Sequence, residues 1–183
     1  MYKMVTMEDT IRIPAEYIRK GKSLNEHIDR LSAQAFEGKF DDDHRFILVT
    51  SDHEPLGRGR IIHNDGAIYQ GVRFKAILFC MDDHEVVEGA VSEVHDFGAF
   101  IRIGPVEALL HKSQIMDDHV DVNVGQKRIE GRQSNKSLGE YSRVRARIVS
   151  LSINTADPRS SKIGLNCKQP GLGGMDWIEE EES

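Results

Sequence analysis

Gly89-Ala90-Val91-Ser92-Glu93-Val94-His95-Asp96-Phe97-Gly98-Ala99-Phe100-Ile101-Arg102-Ile103, with Leu109-Leu110-His111-Lys112-Ser113-Gln114-Ile115 a short way on, is the stretch that decides the fold. Its apolar residues come in short runs broken by Asp96 and Gly98, which is β patterning with turn chemistry between the runs. The spacing predicts strands over Val86–Val94, Ala99–Ile103 and Ala108–His111. Phe97 and Phe100 then follow a strand and a glycine turn while His111 closes the next strand, so a single surface patch receives all three. Two readings of these side chains stand: core packing and strand capping, or a platform on which flat ligands stack.

Toward the C-terminus the strand pattern continues weakly over Val120–Val124 and strongly over Arg143–Ser152 and Ser161–Asn166. Arg143, Arg145 and Arg147 alternate with Val144, Ala146 and Ile148, which makes one face of that strand basic and the other apolar. The polar connection from Gly125 to Ser142 reads as a long loop whose composition suggests mobility. Five or so strands in under 100 residues suit an all-β barrel of the OB type. Asp176 and Glu179 to Glu182 put five acids in the last eight residues, the pattern of a solvated, mobile terminus.

Toward the N-terminus, alternation in Tyr2–Val5 and Thr10–Ile13 reads as one or two short strands stopped by Pro14. Ser23-Leu24-Asn25-Glu26 is a capping box, and Leu24, Ile28, Leu31 and Ala35 repeat at helical spacing up to Gly38. Strand patterning returns at Phe46–Thr50, at Arg60–Ile62 and over Ala67–Met81, with Gly57-Arg58-Gly59 and Asn64-Asp65-Gly66 as turns between them. This first part is a small α+β unit with an antiparallel sheet. Gly57-Arg58-Gly59 lacks the following helix and the Lys-Ser/Thr of a phosphate loop.

The 183 residues carry 24 Lys plus Arg against 30 Asp plus Glu, a net charge of -6, so binding to a polyanion has to be local. Residues 85–175 hold 12 basic and 11 acidic groups, which permits such a local surface. No run approaches the roughly 18 apolar residues of a membrane span, and Lys3 and Glu8 break any signal-peptide core. Cys80 and Cys167 form no Cys-x-x-Cys pair and read as small buried residues. Asp41–His44, Asp82–His84 and Asp117–His119 direct neighbouring side chains apart, the pattern of solvated loops; no metal site, cofactor site or catalytic motif is expected.

The Gly89–Ile115 residues, together with Val144–Ile148 and Lys162–Leu165, resemble the S1 domain, an OB-fold module that binds single-stranded RNA. The resemblance implies RNA contacts from Phe97, Phe100, His111, Arg143, Arg145, Arg147 and Lys162. The first half, through Thr10–Pro14, Gly57–Ile62, Asp65-Gly66, Tyr69 and Val72–Phe79, is similar to the E-prime family of archaeal RNA polymerase stalk proteins, itself related to the eukaryotic seventh polymerase subunit. Gln169–Ile178 carries the likeness to the end of the chain. What it implies is a tip domain over residues 1–81, an S1 domain over 85–168 and a C-terminal extension with the acidic tail over 169–183. It further implies a cytoplasmic, non-catalytic subunit that forms the stalk heterodimer with the F subunit of RNA polymerase and binds nascent single-stranded RNA. Gly57, Gly59, Asp65 and Gly66 would dock the pair on the polymerase core. The competing expectation is a stand-alone S1 protein of translation or RNA decay.

Overall fold

The computed structural model describes residues 1–18 and 24–181. It divides into two compact units, Met1–Cys80 with Thr155–Pro158, and Met81–Asn154 with the chain from Arg159 onward.

The first unit contains β1 (Tyr2–Ile13), α1 (Leu24–Phe36), β2 (Phe46–Ile61) and β3 (Ile68–Phe79). Its strands form an antiparallel sheet in the order β1-β3-β2. The helical repeat buries Ile28 and Phe36 against Ile11, Ile47 and Leu78 on one face of that sheet, and the Phe36 ring stacks on Phe74 at 4.7 Å. Ser23 of the expected capping box lies outside the described residues. At the other end Gly38 turns the chain out of the helix with φ +75°, a region glycine enters without penalty.

Two expectations change here. Tyr2–Val5 and Thr10–Ile13 are the ends of one 12-residue strand, because β3 is long enough to pair with all of it, from Tyr2 opposite Phe79 to Ile13 opposite Ile68. Likewise Phe46–Thr50 and the first two residues of Arg60–Ile62 belong to a single 16-residue strand, which ends at Ile61. Gly57-Arg58-Gly59 is no turn between strands. It sits inside β2, where register shifts between Ile47 and Val49, Ser51 and Glu54, and Leu56 and Arg60 absorb the extra residues. Since β2 is a sheet edge, bulges and the missing amide of Pro55 are tolerated there.

The sheet face away from α1 is partly apolar. Met4 and Val49 lie either side of Ile77 in the register and are 71% and 46% exposed. Tyr2 joins them through its ring contact with Phe79 at 5.1 Å.

In the second unit, β4 (Val86–His95), β5 (Gly98–Ile103), β6 (Val106–His111), β10 (Arg143–Ser152) and β11 (Lys162–Asn166) close into a five-stranded barrel. Between them in sequence lie β7 (Val120–Asn123), β8 (Arg128–Gly131) and β9 (Ser137–Gly139). Barrel order is β11-β6-β5-β4-β10, and β10 pairs back onto β11. Val91, Ile101, Leu110, Val144, Ile148 and Leu165 fill the interior. In β4 the register shifts between Val91 and Glu93, leaving Ser92 as a bulge.

The segment expected as one long loop holds two of the three strands of a small antiparallel sheet, β7-β8-β9. Ile129 and Leu138 are its buried anchors. Asp118, expected to be a solvated loop acid, ties the sheet's far turn. Its carboxylate accepts the Gln133 and Ser134 amides at 2.8 and 2.9 Å and the Ser134 hydroxyl at 3.0 Å. Those amide donors hold its pKa at about 2, below the usual carboxylate range. A depressed folded-state pKa means the tie is complete above pH about 4 and is lost as pH falls through about 2. The amide proton shifts of Gln133 and Ser134 should therefore titrate with a midpoint near 2, and a midpoint near 4 would show that the tie does not form.

The tail closes the second unit. β12 (Gly173–Gly174) pairs with Val144 and Arg145 of β10, and α2 (Met175–Glu181) follows. The acidic end was expected to be solvated, and Glu179 and Glu180 are exposed, but Trp177 and Ile178 are buried. The Trp177 ring lies over the two glycines, where a Cβ on Gly173 or Gly174 would come within 2.8 or 3.0 Å of it. Lys136 places its ammonium 5.5 Å from the ring centre.

Candidate nucleic-acid interface

β4 and β5 are joined by the two residues Asp96 and Phe97, and His95 opposite Gly98 is the last pair before the link. Such a tight connection leaves Phe97 outside the barrel, 42% exposed. Its carbonyl accepts the Lys112 amide at 2.9 Å, which fastens the turn to the end of β6. Gly98 makes that approach possible. A Cβ there would press into the Leu110 carbonyl oxygen and lie 2.9 Å from His111 Cα and 3.0 Å from the Lys112 amide nitrogen.

Three rings gather at this turn. Phe97 and Phe100 meet edge to face at 6.1 Å. The third ring is His95, which lies parallel to Phe97 at 5.2 Å with an interplanar angle of 6° and edge-on to Phe100 at 5.4 Å. The Glu93 carboxylate is 3.0 Å from His95 Nε2. Of the expected Phe97, Phe100 and His111, both phenylalanines are in this cluster; His95 was not foreseen, because its place on the outer face depends on the Ser92 bulge.

His111 stands opposite Gly98 in the β5–β6 register. Its Nδ1 accepts the Ser113 amide at 3.2 Å and lies 2.8 Å from the Ser113 hydroxyl, capping the short 3-10 turn Lys112–Gln114 while the ring stays exposed. Lys112 is exposed and, among the described residues, has no ion-pair partner. It is a cation beside the aromatic turn that sequence reasoning passed over, and its place after His111 was the available signal.

The β10 arginines do face outward, with Val144, Ala146 and Ile148 buried beneath. The structure does not bring them to the aromatic turn. Phe100 is opposite Glu93 on β4, whereas Arg143, Arg145 and Arg147 are opposite Ala90, Glu88 and Val86. Each arginine is thus about 7 Å further from the turn than the one before it. Glu88 pairs with Arg143 at 3.3 Å and with Arg145 at 2.9 Å. Arg147 buries its Nε without a hydrogen-bond partner among the described residues. Lys162 is exposed opposite Ser152. It starts β11, and Gly164, two residues on, meets Leu109 in the parallel β6 pairing, so Lys162 lies away from the His111 end.

The first unit's candidates all have work inside the sheet. Gly57 and Gly66 take φ of +62° and +65°, conformations that favour glycine. A Cβ on Gly59 would meet Ile68 and the Gln70 side chain. Asp65 accepts Arg12 Nε at 3.0 Å and Nη2 at 2.5 Å, and the Tyr69 hydroxyl donates to it at 2.5 Å. The Arg12 guanidinium, with Tyr69, holds the Asp65 carboxyl at about 2. The far half of β2, with Gly57 and Gly59, and the β2–β3 turn, with Asp65 and Gly66, are thereby shaped by four residues whose side chains or conformations are already engaged.

Among the described residues no group of three His, Cys, Asp or Glu converges as metal ligands do. No described helix is long and apolar enough to cross a membrane. At the acidic loop, Asp41 accepts the Asp43 and Arg45 amides at 3.1 and 2.8 Å, an arrangement that turns the chain.

Residues 82–150 match the S1 RNA binding domain family. Over 181 residues, 99% of this chain and 97% of the relative, the sequence is 36% identical to the DNA-directed RNA polymerase subunit Rpo7 of Sulfolobus acidocaldarius. It is 33% identical to the Rpo7 of Saccharolobus shibatae over 98% of each chain. A more distant likeness, 25% over 70% of this chain and 75% of the relative, is to the DNA-directed RNA polymerase II subunit RPB7 of Saccharomyces cerevisiae.

Proposed function

The chain belongs to the Rpo7 family of archaeal DNA-directed RNA polymerase subunits, and from that premise we propose that it is a non-catalytic stalk subunit that guides single-stranded RNA over its S1 barrel. The carrying observation is the exposed aromatic turn. Phe97 and Phe100 offer π faces at the end of a barrel whose interior is already full, and every base can stack there whatever its identity. His111 and Lys112 border the rings, so the phosphates of a stacked strand pass within reach of a cation. The two arginines paired with Glu88 are a secondary basic surface, available to a longer strand. Such contacts weaken as salt rises, because phosphates bound by lysine and arginine release counterions.

The end-to-end match to polymerase subunits favours the stalk over a stand-alone S1 protein. On this reading the first unit is the part that joins the enzyme. The bulged end of β2, with Gly57 and Gly59, and the β2–β3 turn, with Asp65 and Gly66, dock on the core, Asp65 acting by holding the turn through Arg12 and Tyr69. Tyr2, Met4, Ile77 and Val49 form an apolar patch of the kind that partner chains cover, and the F subunit of the stalk is the occupant this reading assigns to it. The protein then resides in the cytoplasm with the polymerase.

The test is RNA crosslinking in reconstituted polymerase, comparing wild type with Phe97→Ala/His111→Ala and with Arg143→Ala/Arg145→Ala. With assembly intact, the aromatic variant should lose roughly 5- to 150-fold in affinity, the value of one stacked base. The arginine variant should lose less and show a shallower salt dependence. An aromatic variant that crosslinks like wild type would place the RNA elsewhere.

A further inference from the structure

The RNA reading rests on Phe97 as a stacking surface, so it matters what holds that ring still. Its backbone is fixed by the His95–Gly98 pair and by the Lys112 amide. The side chain leaves the barrel, and a phenyl group in solvent has rotamers to lose when a base lands on it. His95 covers one face. The two rings are parallel within 6° at 5.2 Å, an offset stack, and the imidazole is held from the side by the Phe100 ring at 88°. Glu93 fixes the imidazole in turn, 3.0 Å from Nε2. The imidazole is not core filling, since the His95 side chain is 38% exposed on the outer face.

We propose that His95, oriented by Glu93, is a positioning residue of the RNA interface: it backs one face of Phe97 so that the opposite face receives a base. This inference rests on the RNA reading above. The order imidazole, phenyl, base is a stack that the protein begins and the RNA continues. The cost of ordering Phe97 is met on folding, leaving less of it to oppose binding.

The full chain is titrated with a mixed-sequence single-stranded RNA oligonucleotide, and the Phe97 ring protons are followed by NMR in the free protein. Phe97→Ala comes first and should weaken binding roughly 5- to 150-fold. If it does not, the RNA reading itself fails. His95→Ala is expected to weaken binding about 2- to 10-fold, the worth of one aromatic pair, and to remove the ring-current shift from Phe97. His95→Phe, which keeps the stack and drops the nitrogens, is expected to restore both. Should Phe97→Ala bind weakly while His95→Ala binds as well as wild type or better, the positioning role is wrong and the RNA site stands. A His95→Phe variant that folds yet binds like His95→Ala also overturns the role, because the imidazole nitrogens, not the ring face, would then be what RNA needs.

Discussion

Gly98→Ala is expected to destabilise the barrel by about 3 kcal/mol, while leaving the first unit folded. A methyl group at this position would press on the Leu110 carbonyl and crowd His111 Cα and the Lys112 amide nitrogen. All three obstacles are backbone atoms, which have no rotamer to escape into. The φ of +150° adds strain that an L side chain cannot relieve. Relief requires β5 and β6 to part at their last pair, which also breaks the 2.9 Å bond from the Lys112 amide to the Phe97 carbonyl. The variant should accordingly lose RNA binding even below its unfolding midpoint. Trp177 is the single tryptophan of the chain and belongs to the second unit, so its fluorescence in a urea titration reports the barrel. An unchanged midpoint would mean that the strand ends part without resistance.

Trp177→Ala should have an effect of similar size, about 3 to 5 kcal/mol, although the residue stands close to the C-terminus in a run of acids. The indole is 8% exposed and roofs Gly173 and Gly174, whose strand pairs with β10. Removing it leaves the space over two glycines empty, takes the ring away from beneath the Lys136 ammonium and unpins β12. Far-UV circular dichroism during denaturation gives the stability. Amide exchange at Val144 and Arg145 should rise with it, since Gly174 and Gly173 are their partners in the register. If stability and exchange both stay at wild-type values, the tail is an ornament on a barrel that closes without it.

How far the residues alone could go is visible at particular positions. Phe97 and Phe100 were legible because a glycine turn between two apolar runs brings the residue after the first run to the surface. The alternation of Arg143, Arg145 and Arg147 with buried neighbours was legible from its period of two. Their pairing with Glu88 was not, since the acid is more than fifty residues away on another strand. Strands β8 and β9 are four and three residues long and carry a single buried apolar residue each, Ile129 and Leu138, too few for a period to show. In the tail, charge hid structure: the glutamates define the local composition, while Trp177 and Ile178 define the packing. Gly57-Arg58-Gly59 reads as a turn in the sequence because glycine marks turns and bulges alike.

The bulge at Ser92 has a consequence for counting. Before it, the odd-numbered positions of β4 face the interior, as Val91 does; after it, the even-numbered Val94 does. One supernumerary residue therefore inverts the parity of everything up to the turn, and sends Glu93 and His95 outward beside Phe100. Let β4 instead pair residue for residue through Ser92, and the letters Glu-Val-His-Asp-Phe-Gly-Ala-Phe survive intact. Their addresses do not: the acid and the imidazole become interior positions in a barrel with no room for them, and Val94 is stranded in water. Whether the chain bulges at this one residue separates a strand that can dress the aromatic turn from one that cannot, though a motif scored by letters alone rates the two the same.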